Sequence, residues 1–299
     1  MVTTRWAGRS HHVRVFHLIL LLVLVPIAAS AGAWTQPRGA AWIKVAGLYQ
    51  SADQYYADRD AILPDDSSVQ PGDRRPYDDN GKSEQFLLWL EGEYGLTERL
   101  TLGAQAIWKD LRYEDDFSRS RSYGWGDTWA VARYAILTGR QRLSARSSFK
   151  FPTGKFSTEV GEIPIGENQP DLDVGLQWGM SLGRHLSWLG AEASYRFRFE
   201  DESREYDPGD EVFVRLEGGW GFTQRVGLKA NWVSQRGDET SLNFFAPGTD
   251  LNRNYDQVEL FAMFDTPWLF VELGWSHVIA SESWPAAPLW SLSLARLFH

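Results

Sequence analysis

The chain has 299 residues, a formal net charge of −9, 43% hydrophobic and 14% aromatic residues, 15 tryptophans and no cysteine. The acidic balance argues against nucleic acid as a partner, because a phosphate backbone is bound by basic patches, and the missing cysteines exclude disulfides as the source of stability. Mean hydropathy is only −0.36, and no run after residue 33 is apolar enough for a membrane-spanning helix of about 20 residues. A heavy aromatic load at modest mean hydropathy is the composition of a barrel wall, in which polar lumen residues dilute the lipid-facing ones.

The first 33 residues read as a signal peptide. Arg5, Arg9 and Arg14 precede an apolar run from Val15 to Ile27, and the small residues Ala28, Ala29, Ser30, Ala31, Gly32 and Ala33 follow. That order predicts export, with cleavage after Ala31 or Ala33. The segment carries arginines and no acid, so its removal leaves the mature chain more acidic still.

Residues 34–299 are expected to form one domain, since no linker divides them. Strands are predicted at 40–51, 83–94, 99–112, 126–138, 142–152, 171–183, 186–199, 210–221, 225–236, 255–264, 268–280 and 288–298, from apolar alternation with a period of two. The hairpin from Ser83 to Trp108 shows the pattern well: Phe86, Leu88, Leu90, Gly92 and Tyr94 share one face, and Gln85, Trp89, Glu91 and Glu93 the other. Connections alternate short and long, with tight turns such as Gly95-Leu96-Thr97-Glu98 and Phe222-Thr223-Gln224. The long connections are 52–82, 113–125, 153–170, 200–209, 237–254 and 281–287. Such alternation is required of a barrel with periplasmic turns at one rim and extracellular loops at the other. The expected fold is therefore an all-β, antiparallel, up-and-down transmembrane β-barrel of about twelve strands in a bacterial outer membrane.

Alternation also assigns the faces. Uncharged stripes such as Leu100, Leu102, Ala104, Ala106 and Trp108, or Leu172, Val174, Leu176, Trp178 and Met180, are expected to face lipid. So are Val212, Val214, Leu216, Gly218 and Trp220, and Leu269, Val271, Leu273 and Trp275. Trp108, Trp178, Trp220, Trp232, Trp275, Trp290 and Phe298 are the candidates for an interfacial aromatic girdle near strand ends. The opposite faces nominate lumen residues of both signs: Lys44, Lys109, Arg133, Arg146, Lys150, Arg196, Arg198, Arg215 and Lys229, against Glu91, Glu93, Asp171, Asp173, Glu192, Glu217, Glu259 and Glu272. Near-balance predicts a network of ion pairs that holds the wall rigid, compatible with a narrow mixed-charge conduit.

Several motifs resemble known families. Gly124-Trp125-Gly126-Asp127 leading to Arg133-Tyr134, Lys150-Phe151-Pro152-Thr153-Gly154, and Tyr94-Gly95-Leu96-Thr97 with Arg99-Leu100 resemble outer-membrane transporters of the phenol meta-degradation type. Ala33-Trp34-Thr35-Gln36-Pro37 is similar to the mature start of XagA-type envelope barrels, which are associated with exopolysaccharide production. The segment from Leu289 to Phe298, followed by His299, resembles the terminal strand that barrel-insertion machinery reads, with its aromatic residue penultimate.

The function expected is passive passage of a small-molecule or oligosaccharide solute, with outer-membrane lipid and lipopolysaccharide as surroundings and no cofactor. Few residues precede the first strand, so no N-terminal plug domain is expected, and the loop 52–82 is the candidate for closing the pore. The alternative is a non-transporting envelope barrel whose loops bind or help export polysaccharide, with Tyr55, Tyr56, Phe117 and Trp125 as stacking residues. A minor alternative is a hydrolase using His185 and Ser187, but His185 follows a short turn at the wrong rim. Asp250, Asn252, Asn254 and Asp256 imitate the start of a calcium loop, yet Tyr255 stands at the glycine position and Phe261 at that of the closing glutamate.

Overall fold

The computed structural model describes residues 32–57, 70–156, 162–183, 187–200, 206–238, 241–242, 254–282 and 284–299. The predicted signal peptide through Ala31 lies outside them, as do His185, Asp250 and Asn252. Among the described residues no helix is long and apolar enough to cross a membrane. The wall is built from strands: β1 (Ala41–Ala52), β2 (Lys82–Gly95), β3 (Leu100–Glu114), β4 (Thr128–Leu137), β5 (Gln141–Phe151) and β6 (Asp171–Ser181). It continues with β7 (Trp188–Arg198), β8 (Glu211–Gly221), β9 (Val226–Gly237), β10 (Tyr255–Asp265), β11 (Phe270–Ser281) and β12 (Leu289–Phe298).

Each strand pairs antiparallel with its neighbours in sequence. The ring closes where β1 meets β12, from Ala41 opposite Phe298 to Gln50 opposite Leu289. Closure gives both edges of every wall strand a hydrogen-bonded neighbour, which is what an apolar solvent demands of a sheet. Large apolar side chains stand outward all the way round: Ile43 is 50% exposed, Leu176 53% and Leu273 50%. A continuous apolar belt on a closed barrel is a lipid-facing surface. On β2 the belt runs from Tyr94 to Phe86, nine residues that span about 20 Å of height at a tilt of about 40°.

Three of the short turns use one device. Thr97, Thr223 and Thr266 each turn a hydroxyl oxygen back to accept from backbone N–H groups two and three residues on, at Arg99 and Leu100, Arg225 and Val226, and Trp268 and Leu269. The threonine supplies acceptors for donors left over where a strand reverses.

Two expectations need correction. The span 113–125 is not simply a loop: β3 continues to Glu114, and Arg119–Trp125 folds back onto it as a further strand outside the ring. Beyond Trp125 and Tyr123 the outward positions there are Arg112, Glu114, Arg119 and Arg121, so the apolar stripe that marks a wall strand in sequence is cut short. Trp232 and Trp275 are not near strand ends but seventh of twelve and sixth of twelve residues in β9 and β11. The remaining girdle candidates also lie on outward rows, and Trp178 and Trp275 additionally border the lumen cavity, each next to an inward glycine, Gly179 or Gly274.

Leu216 sits midway along β8 and is 50% exposed on the outward face. Leu216→Arg is expected to cost about 2–4 kcal/mol of folding stability in bilayers, whereas the same change at the inward Phe213 is expected to cost far less. Urea titration of the refolded barrel in vesicles measures both.

Candidate functional site

The inward rows enclose a lumen cavity of about 1260 Å³. Its short-turn end is crossed by residues 32–40, the segment that precedes β1. Ser144 Oγ donates to the Ala33 carbonyl at 2.7 Å, Arg133 Nη1 to the Trp34 carbonyl at 3.2 Å, and the Gln36 amide N–H to Thr101 Oγ1 at 2.8 Å. The Gln36 side chain donates to Glu93 Oε2 at 2.8 Å. Strands β2 to β5 thus all hold this strap. Trp34 lies flat against Gly179 of β6, where a Cβ would collide with its ring, and Gly219 leaves the same kind of space for Trp188. Trp34 and Phe270 pack on buried Trp188 and Met263, forming an apolar patch inside the mouth.

The strap adds a lumen element to the one expected, the loop 52–82, of which residues 58–69 lie outside the described residues. The few residues before the first strand lie across the lumen, while the described parts of 52–82 pack over the opposite rim. There Gln54–Tyr56 pairs with Arg74–Pro76, and the Tyr56 N–H donates to the Trp284 carbonyl. Tyr56 is 3% exposed, with its hydroxyl donating to the Val278 carbonyl at 2.6 Å, and Tyr55 stacks on Tyr77. Neither is therefore a free stacking surface. Burial pushes the Tyr77 hydroxyl up to about 12.

The predicted charged residues divide into two kinds. Lys150, Asp171 and Arg198 face inward but are nearly inaccessible and absent from the cavity surface, forming the covered end of an ion-pair ladder. Lys150 Nζ meets Asp171 at 2.7 Å and also Glu167, and Arg198 reaches Glu167 at 3.0 Å and Glu211 at 3.1 Å. The ladder continues through Arg196 to Glu211 at 2.7 Å and Arg146 to Asp173 at 2.9 Å, and ends at Glu192 beside Arg215. Glu272, also absent from the cavity surface, is clamped between Lys44 at 3.2 Å and Lys229 at 2.6 Å. Lys109 is inward as well, but lies under Gly126. Sequence alternation gives direction and not depth, so it could not separate these covered charges from the open ones.

Lys44, Glu91, Glu93, Arg133, Arg146, Asp173, Glu192, Arg196, Arg215, Glu217, Lys229 and Glu259 do border the cavity. Glu93 pairs with Arg133 at 2.9 Å, and Glu259 accepts from Asn231 at 2.7 Å and Gln257 at 2.8 Å. Inward aromatics share the surface, and the sequence reading nominated none of them as lumen residues. Arg196 lies over Trp129, Arg215 over Phe213 and Lys229 over Phe261, with ring centroids 5.1, 5.2 and 4.2 Å away. Trp42 and Trp89 line the wall further round. Trp89 shares its face with Glu91 and Glu93, which was the signal available in sequence.

Two of the motifs, Gly124-Trp125-Gly126-Asp127 and Lys150-Phe151-Pro152-Thr153-Gly154, meet in one knot. The Asp127 carboxylate accepts from the Gly154 and Glu167 N–H groups, each at 2.9 Å, and Thr153 Oγ1 accepts from the Thr128 N–H and donates to the Gly126 carbonyl. The knot folds 152–170 inward and delivers Glu167 to Lys150 and Arg198. The calcium-like spacing has another use: Asn254 Oδ1 accepts from the Gly237 N–H, and Asp256 pairs with Arg236. Among the described residues no group of three His, Asp or Glu could hold a metal. Ser187 is 4% exposed.

A family model described as "Putative MetA-pathway of phenol degradation" matches residues 83–287. The chain belongs to this family. Among solved structures, an outer membrane channel from Pseudomonas putida F1 is similar at 19% identity and a TM-score of 0.69, covering 89% of this chain and 98% of that one. The translocator domain of the autotransporter NalP from Neisseria meningitidis matches at 10% identity and a TM-score of 0.51, over 96% of each chain. The CymD monoaromatic hydrocarbon channel matches at 10% identity and a TM-score of 0.51, over 88% of this chain and 90% of that one. No curated protein matches in sequence. The protein is an outer-membrane β-barrel, with its short turns periplasmic and its long loops extracellular.

Arg198→Met would leave Glu211 and Asp171 facing each other without a guanidinium between them. It is expected to destabilise the barrel by about 3–5 kcal/mol, seen as a lower temperature for loss of the fast-migrating folded band on an unboiled gel.

Proposed function

We propose that the protein is a passive channel for small solutes that combine a flat apolar part with a polar or charged group, aromatic compounds among them. The observation that carries this reading is the open part of the lumen, where cations lie over Trp129, Phe213 and Phe261 beside the carboxylates of Glu192, Glu217 and Glu259. Rings offer stacking faces, and the ion pairs offer hydrogen bonds to a phenol or carboxylate without a large net field. The family's description names phenol degradation and CymD is named as a monoaromatic hydrocarbon channel, which agrees with that chemistry. The polysaccharide-binding alternative keeps only Phe117, 84% exposed, and Trp125, 52% exposed, of its four stacking residues.

The strap sets the width in this reading. In planar bilayers the purified protein is expected to give small, stepwise currents, and Trp34→Ala combined with Gln36→Ala to raise the conductance several-fold. A folded barrel that stays silent in both forms would overturn the channel.

We also infer that the signal peptide is removed after Ala31 rather than Ala33. Ala33 is 1% exposed and its carbonyl is held by Ser144, a contact that cleavage after Ala33 would delete. Mass spectrometry of the membrane-extracted protein should find Gly32 as the first residue; Trp34 as the first would refute this.

A further inference from the structure

On one side of the barrel the sheet continues above the lipid belt. The strand Arg119–Trp125 pairs with the outer end of β3, and the outward rows can be read from the register. Trp108 stands opposite Trp125, and one row higher Tyr123 stands opposite Asp110 and Phe86 is its neighbour on β2. These aromatics mark the outer membrane interface. In the next row Arg112 is directly opposite Arg121.

Two like charges directly across adjacent strands repel. Asp110, just below, draws both guanidinium groups together: Arg121 donates through Nε and Nη2 at 2.9 Å each, and Arg112 through Nη2 at 2.9 Å. The other cations of this rim are matched one to one, Lys82 with Glu84 at 2.7 Å and Arg119 with Glu114. Along the three outward rows from Asp110 to Glu114, the cations Lys82, Arg112, Arg119 and Arg121 face the carboxylates Glu84, Asp110 and Glu114, four against three, with Asp115 and Asp116 in the turn above, and Asp110 is the carboxylate that serves two of them. The exposures show which side is open. The Asp110 side chain is 11% exposed, whereas Arg112 and Arg121 are 49% and 52% exposed. The carboxylate closes the membrane side of the pair and leaves the guanidinium groups facing outward at headgroup height.

A guanidinium fork is matched to phosphate, which it binds bidentately. The anions fixed at this height in the outer leaflet are the phosphates of lipopolysaccharide, whose acyl chains would lie against the apolar belt below. We propose that Arg112 and Arg121, braced by Asp110, form a binding site for a lipid A phosphate on the outward wall of the barrel.

The test uses the full mature protein in detergent, with diphosphoryl lipid A as probe and native mass spectrometry as readout. Wild type should retain diphosphoryl lipid A in preference to the fully dephosphorylated lipid. R112Q/R121Q should lose about tenfold in affinity while keeping the folded, fast-migrating gel band. R112K/R121K, which keeps charge but loses the forks, should fall between the two, and Lys155→Gln, an exposed cation on another loop, should bind as wild type. Equal retention of the dephosphorylated lipid would reduce the site to a generic lipid surface. Undiminished binding by R112Q/R121Q, or full displacement by equimolar inorganic phosphate, would overturn the proposal.

Discussion

Backbone hydrogen bonding in a solvent that offers none is the constraint from which the rest follows. An N–H or carbonyl facing hydrocarbon without a partner costs several kcal/mol, so the sheet must close, and here it closes through the pairing of β1 with β12. Closure fixes the alternation of faces, because every strand then has one lipid side and one lumen side. It also brings residues 32–40 to the periplasmic mouth, since the segment before β1 emerges at the barrel's own rim. Ser144, Arg133 and Thr101 hold that segment inside, and the short segment before β1 becomes part of the lumen.

The polar interior serves two ends at different depths. Toward the extracellular side of β5 to β8, Lys150, Asp171, Arg198 and Glu211 are packed so closely that solvent does not reach them. Charges so covered act on each other and stiffen the wall, and a passing solute does not meet them. Arg215, Glu192, Glu217 and Glu259 stay at the cavity surface, where they can act on what enters. Arg196, which borders the cavity, links the two levels by pairing with covered Glu211, and the Asp127 knot supports the covered level by positioning Glu167 as the shared partner of Lys150 and Arg198.

Much of this was legible in the sequence wherever lipid imposes contrast. The stripes Leu100 to Trp108 and Val212 to Trp220 declare wall strands because hydrocarbon tolerates no charge there, and the short-long rhythm of connections gives the strand count and orientation. The signal fades where water returns. Arg119–Trp125 is a strand whose outward row passes from Trp125 and Tyr123 to Arg121 and Arg119, too short an apolar stripe to read as wall, and the strap has no periodicity at all. Covered and open charges look alike in a one-dimensional pattern, since Lys150 and Arg146 alternate identically and differ only in what packs over them. Tyr56 on a long loop reads as exposed, and only the 284–287 segment folding beside it explains its burial.

The family motifs illustrate the same division between architecture and selectivity. Gly126-Asp127 and Pro152-Thr153-Gly154 are far apart in sequence and join through three backbone N–H groups and two side-chain oxygen donors or acceptors, an arrangement that depends on nothing in the lumen's open surface. None of these bonds involves Trp129, Phe213 or Phe261. Near the constriction, cations and carboxylates almost cancel, so long-range steering of a charged solute is weak and selection falls to short-range contact. In the proposed channel the strap and the rings with cations laid over them are what a solute would meet, and they lie outside the family motifs.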